Sequence, residues 1–583
     1  MKFSKFAEYL EKLENTSKRL EMFEILSDLF KEADKSEVDE IVYFCEESLK
    51  PAFYGIEMGM AEKMVEKAIM KVTGRSEREV ETNYKRLGDL GLVIEQLGGK
   101  QSALFKSKSL DVEEVYNQLM KIAEISGSGA VDKKASLLAG LLSSCNGKEA
   151  RYVVRFVLGR LRLGIGDPTL MDSMSKAISG DRMELRPEIE RAYNLCSDLG
   201  KVANVLFTKG IRGLKEFRVS VGSPIRMALA ERLPSGEEII KKIGKCAVET
   251  KFDGLRIQWH KEGNKVELFS RNLERMTHMF PDIVGGIRKQ IKLKNAIGEG
   301  EAVAFNEVTG EFFSFQVTIT RKRKYKVEEM AKEFPLVLFS FDLLYDGKDL
   351  TKEPYSERRT KLEQSIKKGF TIRLADRMIT DKPEELEKFF EENIESGTEG
   401  IIAKRLNSEY QAGARNFNWI KLKRSYKGEL QDTIDVVILG YLKGKGMRAK
   451  FGIGALLGGV YDEKSDSFKT IAKIGSGLSE EKWVEIRKLL DKIKTDKKPA
   501  RVDSLMNVDV WTTPKYVFTV RADEITKSPL HTAAREKEIG LALRFPRIQG
   551  WIRDKKAEDA TSVSEIQKIF KMQKRVKAVS FGA

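Results

Sequence analysis

The hexapeptide from Lys251 to Arg256 (KFDGLR) combines a lysine, an Asp-Gly turn and an arginine. A lysine that precedes a tight turn has its amine fixed at a pocket wall, and the glycine lets backbone approach a ligand closely. An arginine can bind phosphate as a two-pronged fork. An ordinary lysine has a pKa of about 10.4 and attacks only after losing its proton, so nearby cations or a metal must activate it. The pattern predicts a nucleophilic lysine facing a phosphate, although a surface hairpin also fits the hexapeptide alone.

Other polar and aromatic residues are informative only in combination. Lys421 and Lys423 alternate along WIKLK, so both point to one face of a strand, which a structural role would not require. Glu301 in GEGEAV also fits a solvated turn, and Phe341 in SFDLLY also fits an ordinary core position.

The elements before residue 218 are predicted to be helical. Apolar residues recur at three- and four-residue spacing over 4–13 and 18–33, and further such stretches follow. The segment 150–167 (ARYVVRFVLGRLRLGIGD) places Arg151 and Arg155 one helical turn apart, while Arg160 and Arg162 lie near glycines. The segment fits a phosphate-binding surface or a solvated basic helix equally well.

The pattern changes twice after that helical part. Prolines and glycine mark a linker over 221–236, and three strands with Asp-Gly and Gly-Asn turns are predicted over 246–272. With the strand predicted over 335–345 and intervening helices, the middle is an α+β domain. After residue 426, short β-rich runs enclose one helix starting near Ser479, which fits a small barrel such as an OB-fold. A last amphipathic helix is predicted from Ser562 to Val576.

The composition favours a multidomain protein with a polyanionic partner. The 583 residues carry a formal charge of +16, which promotes binding to phosphate polymers but also fits solubility alone. Four dispersed cysteines without a CxxC pair and three distant histidines do not predict a disulfide framework or a zinc site. The amino end lacks a signal-peptide core, and no apolar run approaches the length of a membrane span. A cytoplasmic location is expected.

Taken in order, these motifs resemble the covalent nucleotidyltransferase superfamily and, within it, the ATP-dependent DNA ligases of archaeal and eukaryotic replicative type. The resemblance covers nearly the whole chain and implies three domains: an all-α DNA-binding domain over 1–218, an α+β adenylation (nucleotidyltransferase) domain over 219–426 and a β-barrel OB-fold domain over 427–583. It implies an enzyme that seals nicks in duplex DNA through a lysyl-AMP intermediate, in DNA replication, repair and recombination.

The resemblance also implies a role for each matching residue. Lys251 is the nucleophile that takes AMP from ATP, Glu249 reads the adenine, and Phe341 stacks on it. Hard carboxylates suit Mg²⁺, and the matching metal residues are Glu301 and Glu399. The remaining nucleotide contacts implied by the match are Arg256, Arg271, Glu301 (as a ribose contact), Arg415, Lys421, Lys423, Arg544 and Lys556, with Arg547 beside them; the carboxy-terminal residues among them orient the pyrophosphate.

Two further segments gain an expected role from the resemblance. The basic segment that contains Arg151 and Arg155 is expected to grip DNA phosphates. Gln101, Leu104 and Phe105 resemble a short motif that binds a sliding clamp, although an ordinary loop fits this degenerate pattern equally well. No partner subunit is expected, and the protein is predicted to be a monomer.

The match has departures and rivals. Glu299 stands where Asp is usual, Thr250 replaces a commonly aromatic residue, and Leu255 replaces a polar one; these affect fine tuning and remove no reacting group. An RNA-capping guanylyltransferase or RNA ligase is disfavoured by the amino-terminal domain and by RFPRI (544–548). A catalytically silent DNA-binding scaffold would explain the charge but not the set of Lys251, Glu301, Glu399, Lys421 and Lys423. Whether ADP or NAD⁺ also donates AMP stays open.

Overall fold

The chain, as a computed structural model, forms two compact units. The structure describes residues 1–98, 109–161, 163–306, 311–313, 315–323, 325–396, 398–423, 433–444, 452–522 and 524–580. The first unit consists of residues 1–193, 198–217 and 493–501, and the second of residues 194–197, 218–492 and 502–583.

The first unit is built from helices, as the spacing of apolar residues predicts. In the first helix Phe6, Leu10 and Leu13 are buried along one face. The α-helices are α1 Phe3–Asn15, α2 Arg19–Glu32, α3 Val38–Cys45, α4 Glu62–Thr73, α5 Glu77–Leu87, α6 Leu90–Gly98, α7 Val112–Glu124, α8 Ala130–Ser143, α9 Gly147–Val157, α10 Asp167–Ser179, α11 Arg186–Cys196 and α12 Leu199–Lys215, with a 3₁₀ turn at Ala52–Tyr54. The predicted helices over 4–13 and 18–33 are confirmed.

Helix α9, which carries Arg151 and Arg155, has a capping box at its start. The Asn146 side chain accepts the Glu149 backbone N–H, and the Glu149 carboxylate accepts the Asn146 N–H. This exchange satisfies two backbone donors that the first turn leaves without helical partners. The cap therefore fixes where α9 begins.

Two sheets dominate the first part of the second unit. A five-stranded sheet has the order β1-β11-β10-β2-β9, and a second sheet has the order β4-β3-β5-β7-β8 with β6 on β5. The strands are β1 Leu229–Arg232, β2 Cys246–Lys251, β3 Leu255–Glu262, β4 Lys265–Ser270, β5 Asn295–Asn306, β6 Glu311–Phe312, β7 Leu336–Tyr345, β8 Ile372–Leu374, β9 Arg377–Thr380, β10 Gly400–Arg405 and β11 Arg415–Lys423. The predicted strands over 246–272 and 335–345 are confirmed.

Helices cover these sheets and bury their apolar faces. Ile239 of one helix and Phe390 of another pack with Val248 and Ile401 of the first sheet, while Ile283 and Leu362 pack with the second. The helices are α13 Gly236–Ile243, α14 Pro281–Gln290, α15 Phe315–Thr320, α16 Val327–Glu333, α17 Tyr355–Ser365 and α18 Pro383–Glu395, with a 3₁₀ turn at Thr277–Met279.

The predicted linker over 221–236 contains a strand that the sequence pattern does not reveal. β1 pairs in parallel with β11, placing Leu229 opposite Arg415 and Arg232 opposite Lys421. Four residues are too few for period-two alternation to stand out between prolines. The linker therefore contributes an edge strand to the sheet that carries Lys251.

The last part of the second unit is strand-rich, in agreement with the expected OB-fold class. β12 pairs with β13, β17 and β18, β13 with β14, and β18 with β21. The strands of this part are β12 Thr433–Leu442, β13 Ala455–Asp462, β14 Ser467–Ile474, β16 Val502–Asp503, β17 Val510–Thr512, β18 Val517–Arg521, β19 Glu524–Ser528, β20 Gly540–Arg544 and β21 Arg547–Ile552; β15 Lys494–Thr495 belongs to the segment 493–501 of the first unit.

The helices of this last part begin where the sequence predicts. α19 Glu480–Asp491 is capped by Ser479, whose side chain accepts the Lys482 backbone N–H. α20 Val563–Ser580 follows Ser562 and a 3₁₀ turn at Ala557–Asp559. Among the described residues, no helix is long and apolar enough to cross a membrane.

Candidate active site

A cleft of about 370 Å³ in the second unit collects most of the predicted site residues. Residues of the first sheet, of the second sheet and of the strand-rich part all line it. The predicted residues among its walls are Lys251, Arg256, Arg271, Glu301, Phe341, Glu399, Arg415, Lys421 and Lys423. The lining residues that the sequence did not single out include Arg232, Asp253, Trp419, Asp435, Arg553, Asp554, Lys555, Asp559 and Glu565.

Lys251 ends β2, and the turn after it needs glycine for a steric reason. A Cβ on Gly254 would lie 2.4 Å from the carbonyl oxygen of Ala302, so the backbone of the turn packs directly on β5. The Lys251 Nζ donates to the Glu399 carboxylate, and Lys423 donates to the other oxygen of the same group. Two ammonium groups therefore share one carboxylate at the wall of the cleft.

Burial and the charges around Lys251 shift the pKa values of three carboxyl groups. Burial raises the pKa of Glu301 to about 7. Burial and the neighbouring Glu399 raise the pKa of Asp253. Burial opposes ionisation of Glu399 too, but Lys251 and Lys423 hold its pKa well below the usual range. Glu399 is therefore the carboxylate that balances the lysines, and Glu301 is the one that a further cation would ionise fully.

Arg415 and Lys421 lie on β11 and share a second carboxylate. Glu565, near the start of α20, accepts from Arg415 Nη1 at 2.8 Å and from Lys421 Nζ at 3.0 Å. Burial lowers the pKa of Lys421 to about 7, while Lys421 and Arg415 overcome burial and hold the pKa of Glu565 well below its usual range. This corner can accept an anion in place of the Glu565 carboxylate.

Two aromatic rings form an apolar part of the wall. Phe341 and Trp419 lie edge-to-face with their centroids 6.0 Å apart, and the Arg256 guanidinium lies 5.5 and 5.4 Å from their respective centroids. The Lys404 ammonium lies 4.6 Å from the Phe341 centroid and 4.3 Å from that of Trp419. Trp419 was not predicted as a site residue, although it lies in the same WIKLK run as Lys421.

Glu249 lies next to this wall but does not line the cleft. Its carboxylate accepts from the Tyr355 hydroxyl, from Arg359 Nη1 at 2.9 Å and from Lys404 Nζ at 2.6 Å. Burial lowers the pKa of Lys404. A carboxylate and an ammonium thus sit together behind the aromatic rings.

The strand-rich part contributes cations from the segment after RFPRI. Arg553 and Lys555 line the cleft, Lys555 pairs with Asp435, and Arg271 lies 3.5 Å from Asp559. Burial lowers the pKa of Lys555 to about 8.

The structure does not bring all predicted cations of this segment to the cleft. Arg544 is half exposed and donates to Glu524 at 2.7 Å. Neither Arg544 nor Lys556 is among the lining residues, and Arg547 is an exposed residue of β21. The segment RDKK holds four charged residues in a row, so its composition alone cannot say which of them face inward.

Comparison with known proteins decides the family. Residues 227–423 match the family described as the ATP dependent DNA ligase domain, residues 2–175 the DNA ligase N terminus and residues 449–555 the ATP dependent DNA ligase C terminal region. A probable DNA ligase of Dictyoglomus thermophilum is 53% identical over 580 residues, which cover 99% of each chain. A DNA ligase of Hyperthermus butylicus is 45% identical over 598 residues, covering 99% of this chain and 98% of its own.

The chain belongs to the family of ATP-dependent DNA ligases. This membership agrees with the predicted resemblance and with the order of fold classes along the chain. ATP and Mg²⁺ are the cofactors of such ligases.

The carboxylates of the cleft fit the magnesium that ATP-dependent DNA ligases use. Mg²⁺ takes oxygen ligands, keeps several waters and binds through one or two carboxylates with substrate phosphates. Glu301, Glu399 and Asp253 supply hard oxygen donors beside Lys251. Within the described part of the chain, no group of three or more His, Cys, Asp or Glu residues forms a complete metal cage. The residues thus fit an ion that the triphosphate helps to hold.

The surroundings of Arg151 and Arg155 do not favour the prediction that these two residues grip DNA phosphates. Arg151 pairs with Glu14 and Glu95, and Arg155 with Glu14 and Asp89 at 2.8 and 2.9 Å. The Arg155 side chain is 4% exposed, because α9 turns this face into the helical unit.

The structure describes only one of the other residues predicted to bind DNA or a sliding clamp. Arg160 is mostly buried and pairs with Glu62 at 2.7 Å. Arg162 and the candidate clamp motif of Gln101, Leu104 and Phe105 lie outside the described residues.

Proposed function

We propose that this protein seals nicks in duplex DNA by carrying AMP on Lys251. The observation that supports this role is the position of the Lys251 amine, which ends a strand at the wall of a cleft rich in cations and carboxylates. A lysine on a solvated hairpin would have no reason to share a partly buried carboxylate with a second lysine. Transfer at phosphorus needs a fixed nucleophile and neutralised charge, and the cleft offers both.

The reaction has three balanced steps. The Lys251 amine attacks the α-phosphorus of ATP, the bond to the pyrophosphate oxygen breaks, and the amine proton is lost to solvent. An oxygen of the 5′-phosphate at the nick then attacks the AMP phosphorus, the N–P bond to lysine breaks, and the amine takes up a proton from solvent. Finally the 3′-hydroxyl loses its proton to solvent and attacks the 5′-phosphorus, a phosphodiester forms, and the bond to the departing AMP breaks.

Each part of ATP has a proposed set of contacts. The Glu249 carboxylate can accept, and the neighbouring Lys404 ammonium can donate, a hydrogen bond to the edge of adenine. For this contact, adenine replaces the ion pair between the two side chains. Phe341 is proposed to provide the stacking surface, and Arg256 and Arg271 are proposed to contact ribose or the α-phosphate. The cations proposed for the phosphates are Arg415, Lys421 and Lys423.

Mg²⁺ is proposed to bind through Glu301 and Glu399, where it would neutralise charge that develops on the phosphates. The Glu301 carboxylate is also the proposed ribose contact before the metal is engaged. Pyrophosphate is proposed to contact the carboxy-terminal segment through Arg544 and Lys556 or through the cleft-lining pair Arg553 and Lys555.

Labelling with α-labelled ATP tests the covalent role. The wild-type chain should become labelled, and Lys251→Ala should abolish labelling, whereas Lys388→Ala should not, because Lys388 is an exposed lysine of α18. Labelling that survives Lys251→Ala would contradict the assignment. Offering ATP, ADP, NAD⁺ and GTP separately, with nicked DNA or RNA ends, identifies the donor and separates a ligase from a capping enzyme.

The division into domains at 1–218, 219–426 and 427–583, the monomeric state and the cytoplasmic location are proposed from the resemblance to the ligase family.

The sliding-clamp contact through Gln101, Leu104 and Phe105 is proposed from the sequence pattern alone. A ring-shaped clamp immobilised on resin should retain the wild-type chain, and Leu104→Ala with Phe105→Ala should lose retention without slowing lysyl-AMP formation. Equal retention of both chains would contradict the proposal.

A further inference from the structure

The polar face of β3 is buried, which is unusual for a strand that alternates polar and apolar residues. Arg256, Gln258 and His260 share this face, since they are two residues apart. Gln258 and His260 are fully buried. The register of β3 with β5 places Gln258 opposite Glu299. A buried polar face requires partners for every donor and acceptor.

Gln258 finds these partners in the linker that precedes β1. Its Oε1 accepts the Ile225 N–H at 2.8 Å, and its Nε2 donates to the Ile225 carbonyl at 3.0 Å. Burial lowers the pKa of His260 to about 3, so the ring is neutral. Its Nδ1 accepts the Gly222 N–H at 2.9 Å, which leaves Nε2–H to donate to Gln258 Oε1 at 3.0 Å. The amide of Gln258 is therefore held in one orientation.

The hydrogen-bond network extends from the Gln258 amide to Glu299 and then to Arg256. Gln258 Nε2 donates to Glu299 Oε1 at 3.1 Å, and Arg256 Nη2 donates to Glu299 Oε2 at 2.8 Å. Glu299 is fully buried, so its charge is balanced by the Arg256 guanidinium. Arg256 Nη1 donates to the linker carbonyl of Ala228 at 2.7 Å. Two donors of the arginine are thus committed to the linker and to Glu299.

Arg256 also lines the cleft. Its guanidinium lies against Phe341 and Trp419, and among the described residues its Nε–H has no hydrogen-bond partner. A buried donor without a partner is costly unless a ligand accepts from it. Two of the five N–H donors of the arginine are therefore committed to Glu299 and to the linker, and the buried Nε–H is among the donors that remain for a ligand.

We propose that Gln258 and Glu299 are positioning residues that hold the Arg256 guanidinium in the cleft and tie its placement to the linker at Ile225 and Ala228. This proposal rests on the proposed function, in which Arg256 contacts the nucleotide or the nick. Neither positioning residue touches the reacting atoms. Their effect on the reaction is transmitted through Arg256, and a linker displaced from β3 would release the arginine as well.

A double-mutant cycle tests the proposal, because residues that act through one another have non-additive effects. Arg256→Met, Glu299→Gln and the double variant are compared in single-turnover lysyl-AMP formation and in sealing of a pre-adenylylated nick, with rates expressed per folded molecule. The rate compared among the variants is that of the step, lysyl-AMP formation or sealing, that Arg256→Met slows most. Glu299→Gln is expected to slow that step about ten-fold, the effect of losing one charged hydrogen bond, and by less than two-fold when Arg256 is already Met.

Gln258→Met serves as a second variant should Glu299→Gln fail to fold, and its effect is expected to vanish in the same way. Lys261→Met is the matched control, because Lys261 is a buried polar residue of the same strand that donates to the Ile291 and Leu293 carbonyls and does not touch Arg256. It should leave the compared rate unchanged with either residue at position 256.

Additive losses from Glu299→Gln and Arg256→Met, or no effect of Arg256→Met on either step, would overturn the positioning role. The wild-type chain separates the two levels of inference. If it neither labels nor seals, the proposed function fails; if it does both and the cycle is additive, only the positioning role fails.

Discussion

Two regions of this chain that carry basic residues have opposite electrostatic surroundings. In the helical unit, Arg151 and Arg155 of α9 are paired with Glu14, Asp89 and Glu95, so the carboxylates outnumber the guanidinium groups. In the cleft the ratio is reversed. Glu399 is shared by Lys251 and Lys423, and Glu565 is shared by Arg415 and Lys421.

We expect a basic motif to bind phosphate where the fold leaves positive charge in excess. An arginine whose charge is balanced by buried acids stabilises the fold, since its desolvation is offset only by those acids. Cations that share an acid retain potential for a polyanion such as a triphosphate. The carboxylates that decide between these outcomes come from distant parts of the sequence.

The largest expected effect is in the cleft. Lys421→Met removes one of the two cations that share Glu565, so the rate of lysyl-AMP formation should fall about a hundred-fold, the usual effect of losing a preorganised charged contact. The rate is measured by single-turnover labelling with α-labelled ATP. Thermal unfolding should shift little, because Arg415 still pairs with Glu565. A rate within three-fold of wild type would remove Lys421 from the phosphate site.

The helices, the strands and the placement of a few site lysines could be predicted from local patterns, whereas the roles of the site residues followed from the resemblance to the ligase family. The position of Lys251 before an Asp-Gly turn and the alternation of Lys421 and Lys423 are both readable within a few residues. The pairing of Glu565 with β11 is not, since 144 residues separate it from Lys421. The burial of Arg155 likewise depends on Asp89, 66 residues away.

The second prediction concerns stability in the helical unit. Arg155→Met removes the ion pair that Arg155 forms with the buried Asp89 and should lower the free energy of unfolding of this unit by about 3–5 kcal/mol. All five tryptophans lie in the second unit, so far-UV circular dichroism at the helical band reports the loss, whereas tryptophan fluorescence should shift less. The labelling rate per folded molecule should stay within two-fold of wild type. A normal melting curve with weakened DNA binding would restore Arg155 as a phosphate contact.

A smaller effect is expected from acid. Burial opposes ionisation of Glu14, but Arg155 and Arg151 lower its pKa. Because the folded pKa lies below that of the unfolded chain, about 4.3, this group stabilises the helical unit at higher pH, and the contribution is lost as the pH falls through the folded pKa. Circular-dichroism melting between pH 7 and pH 3 should show that the melting temperature of the helical unit falls with pH, and that it falls less in Glu14→Gln. Parallel pH profiles for the two chains would mean that other carboxylates dominate.

The smallest effect on labelling rate and stability is expected for a basic residue that lies neither among the buried acids of the helical unit nor in the cleft. Arg544 is 55% exposed and pairs with Glu524 at the surface, an interaction that contributes at most about 1 kcal/mol to stability. Arg544→Ala should therefore change the labelling rate and the melting temperature only slightly. Arg553→Met, in the same carboxy-terminal segment but lining the cleft, should slow labelling about ten-fold, as expected for a partly exposed charged contact. The reverse order would assign the pyrophosphate to Arg544 and imply that the segment moves when ATP binds, since the guanidinium would have to leave Glu524 and enter the cleft.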